Sequence, residues 1–174
     1  MAADQWIFGY GSLIWQPAFE FVEAQPGFVL GWQRRFFQAS PDHRGTPEAP
    51  GRVVTLVPDA RGLCWGMAYR VADGGLAGVL EDLDLREQAG YQRSYLDVHL
   101  RDRADGPVRA LVYVADPTNA NFVEAALPEI AAVVRAARGP SGSNRDYLER
   151  LDAALRAMGG RDDHVAALWQ LVAG

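Results

Sequence analysis

Apolar residues fall in short runs through the first two-thirds of the chain and take helical spacing in the last third. Gln5 to Phe8 predicts a short strand, stopped by Gly9-Tyr10-Gly11-Ser12. Gly27 to Ala39 predicts a second strand region, rich in aromatics, and the polar, Pro/Gly-rich stretch from Ser40 to Gly51 predicts a loop. Arg52 to Val57 and Leu63 to Val71 flank Pro58-Asp59-Ala60-Arg61-Gly62, which predicts a hairpin with a five-residue connection. Asp73 is the expected N-cap of a helix reaching Gln88, with Gly90 as its stop. Tyr91 to Leu100 and Val108 to Val114 predict an antiparallel pair turning at Asp105-Gly106-Pro107. Pro128 to Arg138, Asn144 to Met158 and Asp162 to Val172 predict three helices.

Strands clustered before helices argue for an α+β fold with a helical C-terminal third. No internal repeat, low-complexity tract or long linker divides the chain, so residues 1–174 are expected to form a single domain.

Composition narrows the classes. The chain has 174 residues, 49% apolar and 22% charged, enough apolar surface to argue against disorder. Its net charge of −5 argues against a nucleic-acid partner. All 17 basic residues are arginine, which excludes Schiff-base chemistry and a lysine-bearing phosphate loop. Cys64 is the single cysteine, so no intrachain disulfide forms. Met1 to Trp6 carries no basic residue and does not read as a secretory leader. No apolar stretch approaches ~20 residues, so no membrane span is expected. The expectation is a soluble cytoplasmic protein.

Several motifs fail on inspection. Gly9-Tyr10-Gly11-Ser12-Leu13-Ile14 opens like a dinucleotide fingerprint, but Ile14 stands where the third glycine belongs. Gly139-Pro140-Ser141-Gly142-Ser143 imitates a nucleophile elbow, yet ends in serine and follows a helix. His43, His99 and His164 are scattered, with no pair at metal-ligand spacing. Cys64, between Leu63 and Trp65, reads as a buried small hydrophobe. The aromatics Trp6, Trp15, Trp32, Phe36, Phe37, Trp65 and Tyr69 read as core.

Two features carry chemistry. In the loop from Phe8 to Trp15, two glycines around Tyr10 would permit positive φ and turn N–H groups toward one point. Such a nest holds a carboxylate or a developing oxyanion. The same residues also fit a tight turn with Ser12 as a helix cap. The second feature is Glu87. At 100° per residue it shares a face with Leu76, Leu80 and Leu83, whereas Glu81, Asp82 and Gln88 fall off that face. Desolvation would raise its pKa and suit it to proton transfer near neutrality. Spacing alone equally admits a salt bridge to an arginine such as Arg93, or a helix that frays before Glu87. Leu85, on the opposite side, blemishes the pattern.

Several blocks together resemble the ChaC-type gamma-glutamylcyclotransferases. They are Phe8-Gly9-Tyr10-Gly11-Ser12-Leu13-Ile14-Trp15, Arg34-Arg35-Phe36 with Asp42-His43-Arg44-Gly45, and Pro50 to Leu56. Trp65 to Arg70, Leu83 to Tyr91, and Gly139 to Asn144 with Tyr147-Leu148 continue the series in the family's order. The resemblance is clearest to the glutathione-specific branch. Ala72 to Gly78 and Arg101 to Pro107 diverge and carry no motif.

The resemblance implies a small mixed β-barrel flanked by helices, with a pocket at its mouth. It implies that the γ-glutamyl unit of glutathione cyclises to 5-oxoproline and releases Cys-Gly. Glu87 matches the catalytic glutamate, and Gly9, Tyr10, Gly11, Ser12, Leu13 and Ile14 match the substrate-binding loop. Tyr10 and Tyr147 are candidate pocket walls or hydrogen-bond donors, against the commoner case of a buried structural tyrosine. Arg44 is a candidate partner for the glycyl carboxylate or, at least equally, a solvated loop charge or a member of an internal ion pair. The chemistry calls for no metal and no other cofactor. The rival readings are the same chemistry on γ-glutamyl amino acids or γ-glutamylamines, and a non-catalytic module that binds glutathione.

Overall fold

The computed structural model describes residues 4–174. Five strands close into a barrel in the order β1-β3-β2-β4-β5. They are β1 (Gln5–Gly9), β2 (Glu23–Ser40), β3 (Gly51–Val71), β4 (Tyr91–Leu100) and β5 (Val108–Ala115). β1 runs antiparallel to β3 and parallel to β5, with Trp6 opposite Ala110 and Ile7 opposite Leu111. That one parallel pair makes the barrel mixed, as the family resemblance implied. Closure also removes the open sheet edges that would otherwise invite association.

The hairpin expected within residues 52–71 does not form. Those residues are one long strand, β3, paired along most of its length with the 18-residue β2. Leu30 pairs with Leu63 and Trp32 with Pro58, so residues 59–62 bulge opposite the single residue Gly31. Gly31 takes φ +83°, a conformation open to glycine. Turn-forming residues in the middle of β3 therefore bend the ladder rather than end it. A second irregularity lies between Arg35 and Gln38 of β2, where Phe36 and Phe37 face only Val54.

Helix α1 (Asp73–Arg86) joins β3 to β4. It is capped by Ala72 without a side-chain bond, so Asp73 is its first residue and not its cap. It stops two residues before the expected end, with Glu87 at the C-cap. Gly90, at φ +117°, turns the chain into β4. Leu85 is exposed, and Leu83 joins Ile7, Leu13, Val71, Leu111 and Tyr113 in a small core cluster.

The last third is helical, as expected: α2 (Leu127–Ala136), α3 (Asn144–Ala157) and α4 (Asp163–Ala173). Between α2 and α3, β6 (Arg138–Gly139) and β7 (Gly142–Ser143) form a tiny hairpin. The elbow-like motif is therefore a β-turn, not a strand-to-helix turn. Ser143 caps α3 by accepting from the Asp146 N–H, and Asp162 caps α4 by accepting from that of Val165. Ile130, Val134, Leu148, Leu151, Leu155, Leu168 and Val172 pack in one core with Phe8, Phe36, Val54 and Leu56 of the barrel. Trp6, Phe36 and Tyr69 are buried, and Trp15, Trp32, Phe37 and Trp65 pack partly buried against that core.

Candidate active site

A pocket of about 310 Å3 opens where four segments meet: the loop after β1, the loop after β2, the end of α1 and the start of α3. Gly9, Tyr10, Gly11, Ser12, Leu13, Arg44, Glu87 and Tyr147 all line it. Ile14 does not: its side chain is buried in the main core. It belongs to the loop's anchor rather than to the pocket wall.

The glycines of the loop serve a different purpose from the one expected. Neither Gly9 nor Gly11 has positive φ; Gly11 sits at φ −127°. Their value is the missing side chain. A β-carbon on Gly9 would stand 2.5 Å from Leu13 Cβ, and one on Gly11 3.0 Å from the Tyr147 hydroxyl. Residues Ser12–Ile14 form a single 3-10 turn capped by Gly11, so Ser12 is not the cap. The turn's own ladder begins with Ile14 N–H on the Gly11 carbonyl at 3.0 Å. The N–H groups of Ser12 and Leu13 precede it and stand outside the ladder.

Glu87 lies on the pocket wall with its side chain 18% exposed. The turn of α1 continues far enough to keep it on the face of Leu83, because its N–H still donates to the Leu83 carbonyl at 2.9 Å. The salt bridge to Arg93 does not form; Arg93 is bound to Asp84 through two nitrogens. The Arg86 guanidinium stands 4.0 Å away, and no side chain among the described residues donates a hydrogen bond to the Glu87 carboxylate. Loss of water around the carboxylate raises its pKa above the ordinary value, against the pull of Arg86 and His43, while Asp42 adds to the rise.

Three tyrosine hydroxyls surround the carboxylate side of the pocket. Tyr10 donates to the Tyr113 carbonyl and Tyr91 to that of Val54, each at 2.6 Å. The Tyr147 hydroxyl accepts from the Val54 N–H at 3.3 Å, which leaves its own hydrogen free to turn into the pocket. Burial pushes Tyr147 up to about 12 and Tyr10 and Tyr91 well above their usual value, so all three stay neutral donors. Arg44 is buried and donates to the Ser143 carbonyl at 3.1 Å and to Asp146 at 3.3 Å. The internal ion pair is thus formed, with the guanidinium also 5.6 Å from the centre of the Tyr147 ring.

Ser40, His43, Arg86, Tyr91, Tyr113 and Ser141 also reach the pocket, though the sequence did not single them out as site residues. Arg86 donates to the Ser12 hydroxyl at 2.6 Å and to the Gln16 carbonyl at 3.0 Å, fastening the glycine loop to α1. Cys64 is buried, its thiol pushed up to about 11, and stands apart from the pocket lining.

This architecture is that of a gamma-glutamylcyclotransferase. A crystal structure of gamma-glutamyl cyclotransferase specific to glutathione from yeast matches with a TM-score of 0.92 and 31% identity, over 99% of this chain and 96% of that one. The model of the ChaC-like protein family matches residues 5–174, and the chain belongs to that family. It is 44% identical to gamma-glutamylcyclotransferase 2-3 of Arabidopsis thaliana, over 94% of this chain and 85% of the relative. It is 42% identical to glutathione-specific gamma-glutamylcyclotransferase 1 of Homo sapiens, over 94% and 76%.

Proposed function

We propose that this protein cyclises the γ-glutamyl unit of glutathione to 5-oxoproline and releases Cys-Gly, acting as a single domain without a cofactor. The observation that carries the reading is Glu87: a desolvated carboxylate on the wall of a small pocket, free of hydrogen bonds from neighbouring side chains. The names of the Arabidopsis, human and yeast relatives support the same chemistry.

The α-ammonium of the γ-glutamyl group must lose a proton before its nitrogen can attack its own γ-carbonyl. Glu87 takes that proton as general base. The new C–N bond closes a five-membered ring, so folding the substrate back already supplies a high effective molarity. The N–H groups of Gly11, Ser12 and Leu13 hold the α-carboxylate or the oxyanion that forms as the carbonyl is attacked. When the tetrahedral intermediate collapses, the bond to the cysteinyl nitrogen breaks and Glu87 returns its proton to that nitrogen. The second proton left on the ring nitrogen after attack is then taken by Glu87 and passed to the same amine. The ring thus keeps one N–H, Cys-Gly leaves as the ammonium and Glu87 is ionised again. The products are 5-oxoproline and Cys-Gly. Tyr10 and Tyr147 line the site as neutral walls, and Tyr147 has a hydrogen to donate. Arg44, although paired with Asp146, keeps a positive guanidinium at the wall where the glycyl carboxylate would approach.

Among the described residues no helix is long and apolar enough to cross a membrane. A free glutathione substrate fits a cytoplasmic location and needs no nucleic-acid partner.

The test is a time course with millimolar reduced glutathione, with 5-oxoproline and Cys-Gly quantified by mass spectrometry and γ-glutamyl-alanine run in parallel. Both products should appear together from glutathione. Turnover of γ-glutamyl-alanine alone would move the substrate to γ-glutamyl amino acids. No 5-oxoproline from either would leave a binding module. Glu87→Gln should keep the fold and cut turnover at least ~10²-fold; near-normal turnover in the folded variant would overturn the role of Glu87.

A further inference from the structure

Glu87 occupies the weakest part of its helix. It is the C-cap of α1, and the last four carbonyls of any helix lack donors from the helix itself. Nothing among neighbouring side chains hydrogen-bonds its carboxylate, so its position must be set through the main chain. The residue before it, Arg86, is held twice. Its guanidinium is fastened to Ser12 and Gln16 of the glycine loop. Its main-chain carbonyl lies 3.2 Å from His43 Nε2.

A carbonyl only accepts, so His43 Nε2 carries the hydrogen of that bond. The other ring nitrogen, Nδ1, meets the Ser141 hydroxyl at 3.3 Å, which fixes the ring's orientation. The main chain of His43 is itself pinned on both sides. Its N–H donates to Ser40 Oγ at 3.3 Å, and its carbonyl accepts from the Ser141 N–H at 3.0 Å. The imidazole is thus a fixed strut between the β6–β7 hairpin and the end of α1.

We propose that His43 is a positioning residue: by holding the Arg86 carbonyl it clamps the frayable end of α1 and keeps the Glu87 carboxylate at the reacting nitrogen. The proposal rests on the reading of Glu87 as the proton-transfer group. It assigns His43 no contact with substrate. Loss of the clamp leaves the pocket's recognition groups in place and lets the carboxylate wander, so kcat falls while KM holds.

Two amide variants separate the clamp from general polarity. In His43→Gln the side-chain nitrogen reaches the place of Nε2 and can still donate to the Arg86 carbonyl. In His43→Asn the amide ends near Nδ1 and cannot. The expected result is His43→Asn lowered about 10-fold or more in kcat, as misplacement near 1 Å produces. KM should stay within about twofold, and His43→Gln should regain most of the loss. Melting temperatures of the two variants should agree, since both keep one amide at the pocket rim. Equal kcat for the Gln and Asn variants, or a loss confined to KM, overturns the proposal. Glu87→Gln assayed alongside distinguishes the two levels. If it turns over normally, the reading of Glu87 has failed. If it is inactive while both His43 variants keep full kcat, the clamp alone has failed.

Discussion

The α-carbon of Gly11 faces the hydroxyl of Tyr147 so closely that a β-carbon there would stand 3.0 Å from that oxygen and 3.0 Å from Val54 Cγ2. The Tyr147 hydroxyl is in turn held by the Val54 N–H, so it cannot retreat without breaking that bond. The missing β-carbon at this position therefore sets the width of the pocket.

Gly11→Ala should narrow the site without unfolding the chain. A methyl there presses on the Tyr147 hydroxyl at the pocket wall, and displacing that side chain is expected to lower kcat/KM roughly 10-fold or more. Steady-state kinetics beside a thermal melt check it: a large kinetic loss with a small shift in Tm is expected. Unchanged kinetics would mean that Tyr147 does not confine the substrate.

A different device ties α4 to the barrel. The irregularity between Arg35 and Gln38 takes the Phe36 N–H out of the ladder, and His164 Nε2 accepts it at 3.1 Å. An imidazole that accepts at Nε2 is unprotonated there. Burial, with Arg35 and Arg34 nearby, pushes its pKa down to about 4. The unfolded chain, with a histidine near 6.5, binds the proton first. The stability due to neutral His164 is thus fully present above pH ~6.5 and is lost as pH falls through about 4. Melting temperatures between pH 7 and 4 should fall, and His164→Gln should flatten that part of the curve. An identical slope in the variant would assign it to other groups.

The sequence made Glu87 legible because a helical stripe is a local property. Leu76, Leu80 and Leu83 are within one helix, and Glu87 keeps their face even though α1 ends at Arg86. The glycine loop was legible in its own two glycines, and the resemblance gave it a substrate-binding role and placed Arg44 and Tyr147 in further contiguous motifs. What escaped was set by pairing between distant segments. Pro58 to Gly62 looks like a hairpin turn when read alone, and only the register with Leu30 and Trp32 shows it to be a bulge in one strand. Tyr91, His43 and Ser141 reach the pocket through closure of the barrel and the β6–β7 hairpin. No periodicity marks them. Gly9 and Gly11 were noticed for the wrong reason, because a missing β-carbon and a positive φ leave the same letter in a sequence.

Arg34 should be the most sensitive polar position in the fold. Its side chain is fully buried, and its guanidinium serves the Tyr10 carbonyl at 2.8 Å, the Trp65 carbonyl and Asp162. It therefore joins the glycine loop, β3 and the cap of α4. Arg34→Met leaves two carbonyls and a carboxylate without their partner, at a cost of about 3–5 kcal/mol. Denaturant titration would measure it, and a loss below about 1 kcal/mol, the level of an exposed pair, would contradict this account.

Glu87 itself should trade stability for chemistry. Its folded pKa is raised by burial, so the folded state holds its proton more tightly than the unfolded chain does. The contribution to stability is therefore intact below the unfolded pKa and is lost as pH rises through the raised value. At neutral pH the ionised carboxylate is a net cost, which the proposed role of Glu87 accounts for, since a base must be ionised to act. Glu87→Gln removes the charge, so its Tm at pH 7 should exceed that of the native chain, and the difference should vanish near pH ~4, where both forms are neutral. The same shift governs activity: kcat/KM should lose its acid limb at a pH above the ordinary glutamate range. Replacing Arg86 by Gln removes a charge that draws the pKa down, and should carry that limb further toward neutrality. A limb that stays put in Arg86→Gln, together with a Tm that falls in Glu87→Gln at pH 7, would place the titrating base elsewhere in the pocket.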